Sequence, residues 1–289
     1  MRNLIGYGKA GTNITWPNRA KVAINFVINY EEGAELSPVN GDPAAETYGG
    51  EFPLAPKPRG MRNLSMESLY EYGSRSGIWR LIRLFDQNKI PTTFFATGLA
   101  LTLNLELCHY LESSKHEIAG HGWRWIDYAA CSRKEEKEHM QLCIDTITEL
   151  IGRRPQGWYT GRRSIHTRQL LKEVGGVIYD SDSYADDIPY MESEHLIVPY
   201  NLDCNDFRYT TSPGFNTGED FFKHLKYTLD YLIHENRTTL MTIGLHPRIS
   251  GRPGRTAAIE KFIDYTQTFP NVWVTRRVDI AQHWLRQQI

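Results

Sequence analysis

Val22-Ala-Ile-Asn-Phe-Val-Ile28 is an almost unbroken run of β-branched and aromatic residues, the pattern of a strand covered on both faces. Helical spacing begins at Ser68, with Ile78, Leu81, Ile82 and Phe85 on one face, and Thr92–Ala96 returns to a strand pattern. The alternation continues with a helix over Leu103–Leu111 and a strand over Glu117–Ala119. Ser132 and Glu135 form a capping-box signal for a long helix whose stripe is Met140, Cys143, Ile144, Ile147 and Ile151, with Gly152 as its stop. Further on, strands are expected at Gly157–Tyr159, Val177–Tyr179, Leu196–Val198, Thr239–Leu245 and Val272–Val274. Helices are expected at Thr167–Val174, Gly218–His234, around Ala258–Tyr265 and, closing the chain, across Ile280–Leu285.

These segments make seven or eight strand–helix steps, without an internal repeat or an antiparallel block, which predicts an α/β fold: a distorted TIM-like (β/α) barrel. The 289 residues suit one such domain covering 1–289. Residues 1–20 lack a period and read as a surface arm, and residues 34–66, with their Pro and Gly, as a long loop serving as lid or interface.

Polar residues with chemical potential fall just after successive strands: Glu31 and Glu32, His121, Arg162, Asp180 and Asp182, and His246. Taken singly, His121 could satisfy a turn and the two glutamates could be solvated loop acids. A parallel barrel brings such strand ends to one face, which raises them together as a candidate site. The acidic run from Asp180 to Asp187 lacks EF-hand spacing, so orienting carboxylates are a better reading than calcium ligands.

With 33 basic and 34 acidic residues and a net charge of -1, nothing points to nucleic acid or an anionic membrane as partner; a small-molecule substrate fits better. Cys108, Cys131, Cys143 and Cys204 have no CxxC spacing, which argues against a zinc knuckle or a disulfide scaffold. No stretch nears the ~20 apolar residues of a membrane span, and no signal-peptide pattern opens the chain, so a cytosolic location is expected.

The ordered motifs Asn29-Tyr-Glu-Glu-Gly33, His121-Gly-Trp-Arg-Trp125, Gly157-Trp-Tyr-Thr-Gly-Arg162, Tyr179-Asp-Ser-Asp182 and Gly244-Leu-His246 resemble the polysaccharide deacetylase superfamily, in its metal-independent allantoinase branch. Ser65–Ser74 and His121–Tyr128 are similar to that branch over longer strings. Ordinary members carry an Asp-Asp pair and a His-x-x-x-His pair that hold a metal; here Glu31-Glu32 and Trp125 stand in their place. The resemblance implies hydrolysis of the hydantoin ring of allantoin to allantoate, no cofactor, and a homotetramer. Under it Glu32, with His121 beside it, would activate water, Arg162 would hold the substrate carbonyl or oxyanion, and His246 would protonate the leaving nitrogen. Tyr30, Glu31, Trp123, Trp125, Tyr159 and Asp182 would bind substrate, the tryptophans walling a flat ring and Asp182 orienting His246 or Arg162. Two alternatives stand beside this: a carbohydrate N-deacetylase that recruits a divalent metal such as zinc, and an inactive ureide-binding or assembly barrel.

Overall fold

The computed structural model describes residues 2–51 and 56–288. In chain order its strands are β1 (Val22–Tyr30), β2 (Thr93–Ala96), β3 (Glu117–Gly120), β4 (Gly157–Trp158), β5 (Tyr179–Asp180), β6 (Tyr190–Glu192), β7 (His195–Ile197), β8 (Thr239–Leu245) and β9 (Val272–Val274). Its helices are α1 (Leu64–Tyr72), α2 (Ile78–Gln87), α3 (Gly98–Thr102), α4 (Leu105–Ser113), α5 (Arg133–Ile151), α6 (Thr167–Val174), α7 (Gly218–His234), α8 (Pro247–Ser250), α9 (Pro253–Thr266) and α10 (Arg277–Arg286).

The strands form one curled sheet in the order β6-β7-β5-β4-β3-β2-β1-β8, with β9 paired to the start of β1. Every pairing is parallel except β6 with β7. That hairpin corrects the expectation of no antiparallel block: β6 is short and largely exposed, so no hydrophobic alternation announces it. Between β7 and β8 the wall is closed by irregular backbone. Leu240 N donates to Asp187 O (2.7 Å), Gly244 N donates to Cys204 O (3.1 Å), and Asn205 bridges to Gly244. The molecule is thus a distorted barrel of the TIM-like type.

Strand pleating sorts side chains between two environments. Along β1, Val22, Ile24, Phe26, Ile28 and Tyr30 enter the main apolar core between sheet and helices. Each large apolar side chain fully buried there contributes roughly 1.5–3 kcal/mol. Asn25, Val27 and Asn29 face the other way, into the barrel, where polar groups are common. Arg277, wholly buried, donates there to Ser181 Oγ (3.0 Å), Thr242 Oγ1 (2.8 Å) and Pro199 O (2.7 Å). Glu117 accepts from Thr93 Oγ1 (2.8 Å), Tyr179 OH (2.7 Å) and Val278 N (2.9 Å). Buried charges need such partners. The N-terminal arm lies against the opposite end of the strands, where buried Trp16 donates through Nε1 to Thr239 O (2.7 Å) and packs on Trp273.

Several bounds differ from the pattern-based reading. The Ser68 helix starts earlier, at Leu64, where Asn63 caps it by accepting from Met66 N (3.3 Å). It joins α2 through a π-helical turn at Gly73–Gly77. The strand expected at Val177–Tyr179 is shifted to Tyr179–Asp180, and the helix expected from Leu103 begins at Leu105, capped by Asn104. Ser132 caps α5 by accepting from Glu135 N, and Gly152 ends it at φ 73°, left-handed backbone that glycine accepts without strain.

Candidate active site

The strand ends β1, β3 and β8 deliver Glu31, His121 and His246 to one point inside the barrel mouth. Glu31 Oε1 lies 3.1 Å from His121 Nε2 and 3.5 Å from His246 Nε2, while Glu31 Oε2 accepts from Arg248 Nη2 at 2.8 Å. Each histidine is aimed by its other nitrogen. His121 Nδ1 donates to Tyr159 O (2.5 Å) and its ring stacks on Tyr159 (centroids 5.2 Å, planes 6° apart). His246 Nδ1 donates to Asp206 Oδ1 (2.6 Å), and Asp206 Oδ2 accepts from His246 N (2.7 Å). Arg248, on α8, lies over the Tyr70 ring at 4.2 Å, and Trp125 carries Arg162 at 4.4 Å and Arg248 at 5.5 Å.

The group is closed off from solvent: Glu31 is 1% exposed, His121 2%, His246 4%, Arg248 2% and Trp125 7%, too little for a bulky chain to reach them unaided. Tyr48 stacks on Trp125 (6.4 Å, 10°) and packs on Phe207, and Arg248 Nε donates to Gly49 O (3.4 Å), so residues of the long loop roof the site.

Burial would push the Glu31 carboxyl up, but Arg248 and His246 outweigh it and hold Glu31 well below the ordinary carboxylate range. Burial would lower His246; the carboxylates of Asp206 and Glu31 overcome this and raise it to about 9. At neutral pH the centre therefore pairs an ionised carboxylate with a protonated imidazole. Among the described residues two guanidinium nitrogens, Arg162 Nη2 and Arg248 Nη1, are buried without a hydrogen bond, the second lying 3.6 Å from Glu32 Oε1. Unsatisfied buried donors beside a carboxylate and an acid are what a carbonyl-bearing ligand would satisfy.

The structure regroups the residues chosen from sequence. Glu31, His121, His246, Arg162, Trp125 and Tyr159 come together. Glu32, favoured as the base, is turned by pleating to the helix side, where its Oε1 lies against Gly73, so close that a Cβ there would approach it to 2.3 Å; it reaches the group only through Arg248, whose Nη1 is 3.6 Å away. Burial, countered by Arg248, raises Glu32 to about 7. Tyr30 also points outward, its hydroxyl bonded to Ser74 Oγ (2.9 Å) and Asn104 Nδ2 (3.1 Å). Trp123 packs on Gly98 at the start of α3, outside the site. Asp182 accepts from Thr160 N (2.9 Å), Thr160 Oγ1 (2.9 Å) and Gly161 N (2.7 Å). It braces the turn before Arg162 and orients neither the Arg162 guanidinium nor His246, whose orienting carboxylate is Asp206.

Sequence reasoning missed Arg248, Asp206 and Tyr70. Arg248, two residues beyond His246, had a signal in its spacing; Asp206 opens a 3-10 turn in an irregular stretch and had none.

A family model described as polysaccharide deacetylase matches residues 63–176. A Schizosaccharomyces pombe protein named for the polysaccharide deacetylases is 38% identical over 98% of this chain and 96% of its own length. The chain belongs to the polysaccharide deacetylase family. It is a hydrolase of that family, whose members act on C–N amide bonds. Among solved structures, a Pseudomonas aeruginosa PAO1 protein named for the same deacetylases superposes with a TM-score of 0.96 at 47% identity, covering 99% of this chain and 98% of that one. The PuuE allantoinase superposes with a TM-score of 0.95, also at 47% identity, covering 98% of this chain and 96% of its own.

The metal that deacetylases of this family use has no fitting donor set at these strand ends. Glu31 is committed to two histidines and to a permanently charged guanidinium 2.8 Å away, and the position of the second histidine ligand is Trp125, under the cation of Arg162. A divalent cation there would face the fixed charge of Arg248 on the carboxylate that would bind it, and among the described residues Glu31, His121 and His246 do not bring three ligand atoms within 4.8 Å of one another, as a catalytic zinc needs.

Proposed function

We propose that the chain opens the hydantoin ring of allantoin by hydrolysis, yielding allantoate, without a metal. The observation that carries this reading is the pair of buried guanidinium nitrogens without a hydrogen bond, Arg248 Nη1, 3.6 Å from Glu32, and Arg162 Nη2, over Trp125, near the Glu31–His246 pair that Arg248 joins. A ureide ring presents carbonyl oxygens to such donors, and a metal-free hydrolysis needs them for the oxyanion. The likeness to the PuuE allantoinase over nearly the whole chain supports the same substrate. The near-complete burial of the catalytic group favours a small ring over a polysaccharide strand.

In this mechanism Glu31, fixed by His121, receives a proton from the water that attacks the ring carbonyl carbon. Arg162 and Arg248 donate to the carbonyl oxygen as it gains negative charge. His246, protonated at neutral pH, gives its Nε2 proton to the departing ring nitrogen, and the C–N bond breaks. Asp206 stabilises the imidazolium and fixes its orientation. The depressed basicity of Glu31 makes it a weak base, so the weight of catalysis falls on the oxyanion donors and the acid.

Incubating the purified protein with allantoin, with allantoate and with N-acetylglucosamine oligomers tests the proposal. Allantoin should be consumed with stoichiometric appearance of allantoate and no acetate released from the sugar. Acetate release alone would identify a carbohydrate deacetylase, and allantoin binding without turnover an inactive ureide-binding barrel.

A further inference from the structure

Behind β8, away from Glu31, three side chains from two segments converge. Asp203 and Cys204 precede the 3-10 turn that bears Asp206, and His224 comes from α7. One ligand atom from each lies within 4.8 Å of the others. Asp203 Oδ2 is 3.5 Å from His224 Nε2 and 3.8 Å from Cys204 Sγ. Ligands of a tetrahedral zinc, at about 2.0–2.3 Å from the ion, stand roughly 3.3–3.5 Å apart. The third separation, Cys204 Sγ to His224 Nε2, is within 4.8 Å, so side-chain adjustment would close three corners around one ion.

The surroundings leave these atoms free for that use. Among the described residues the buried His224 Nε2 makes no hydrogen bond, and its polar neighbour is the proposed fellow ligand Asp203, at 3.5 Å. Cys204 is wholly buried at the edge of the apolar core, and among the described residues the polar partners of its sulfur are Asp203 Oδ2 and, at 3.9 Å, Thr228 Oγ1. The Thr228 hydroxyl already donates to His224 O (2.9 Å). Among the described residues Asp203 has no lysine or arginine partner, and its side chain is 52% exposed, which opens a route for an ion and a fourth position for water.

We propose that Asp203, Cys204 and His224 form a structural site for a zinc-like divalent transition metal. The mixture of thiolate, imidazole and carboxylate suits zinc or cobalt and disfavours magnesium and calcium, which take oxygen ligands. The ion would tie α7 to the segment whose Cys204 O accepts from Gly244 N and whose Asp206 holds His246. The inference is independent of the reaction assigned to Glu31.

Titrating the chelator-stripped full chain with cobalt(II) tests it. One equivalent should bind with a thiolate-to-cobalt charge-transfer band in the near ultraviolet and the intense visible bands of four-coordinate cobalt, and zinc should bleach both. Cys204→Ser should lose the charge-transfer band. His224→Ala, a change at a partly exposed position that leaves the core intact, should weaken cobalt binding by more than the roughly 10- to 100-fold that loss of an outer partner causes. The proposal is overturned by absence of the thiolate band, by its persistence in Cys204→Ser, or by unchanged affinity in His224→Ala. Should Cys204→Ser fail to fold, the His224→Ala titration decides alone.

Discussion

Along β1 the odd-numbered side chains Asn25, Asn29 and Glu31 face the barrel interior, so removing charge from Glu31 or from its neighbour Glu32 has different consequences. Glu31→Gln takes away the acceptor held between His121, His246 and Arg248, and should lower kcat/KM for allantoin by about 10²-fold or more, within the range of acid–base groups. Glu32→Gln should cost less than about tenfold, since Glu32 touches that group only through Arg248 Nη1, at 3.6 Å, and none of its histidines; equal losses from the two variants would make Glu32 a member of the centre. This assignment was legible in principle. Asn25 and Asn29 mark the polar face of an otherwise apolar strand, and the same parity places Glu31 and not Glu32 among them. The pH dependence follows from His246. Its folded-state value of about 9 means the acid form persists through neutrality, and kcat/KM should fall as pH rises through about 9. Asp206→Asn removes the leading charge that raises it, so the alkaline limb should move to lower pH; an unmoved limb would show that His246 is not the titrating acid. By linkage, the stability that this raised value confers is complete below the ordinary histidine value of roughly 6.5 and is lost as pH rises through about 9.

At the scale of elements, helices with a clear stripe were legible to the residue, as in α6 and α7, whereas the helical pattern read from Ser68 onward gave no sign of the π-helical turn at Gly73–Gly77 that carries α1 into α2. Its glycines serve close approach. A Cβ on Gly77 would lie 2.1 Å from Pro247 O, at the start of the short helix that positions Arg248, and a Cβ on Gly251 would meet the same carbonyl at 2.2 Å. Because the obstacle is backbone, Gly77→Ala should push α8 outward, costing about 1–3 kcal/mol as an overpacked contact. Displacement of Arg248 should raise KM at the same time. Denaturant midpoints together with steady-state kinetics check this: a variant with parental stability and parental KM would mean that α8 does not depend on this contact. No hydrophobic period foretells such a contact, since two backbones meeting leave only the glycine itself as a trace. The segment carrying Asp206 is illegible for a related reason, being irregular chain that closes the wall between β7 and β8 through backbone hydrogen bonds.

For the molecule as a whole, the barrel was legible because its apolar faces follow two simple periods, while the partition of its charges was not. Arg277 and Glu117 sit in the barrel interior, and Arg248 neutralises Glu31, through contacts between residues far apart in sequence. That partition leads to the prediction that separates this chain from metal-using relatives. The deacetylase architecture is retained, yet the centre is occupied by guanidinium groups where a divalent cation would be repelled. Exhaustive chelation should therefore leave kcat/KM for allantoin within about threefold of the untreated enzyme, a small change beside the roughly 10²- to 10⁴-fold contribution of one acid–base group. The same treatment should strip an ion from Asp203, Cys204 and His224 and lower the thermal midpoint, because that ion would join α7 to the wall of the barrel. Metal content alone thus does not diagnose a metal-dependent reaction; the decisive comparison is between activity and occupancy in His224→Ala. Activity that disappears on chelation and returns with zinc, in His224→Ala as in the parent, would place the metal at the strand ends and overturn the metal-free mechanism.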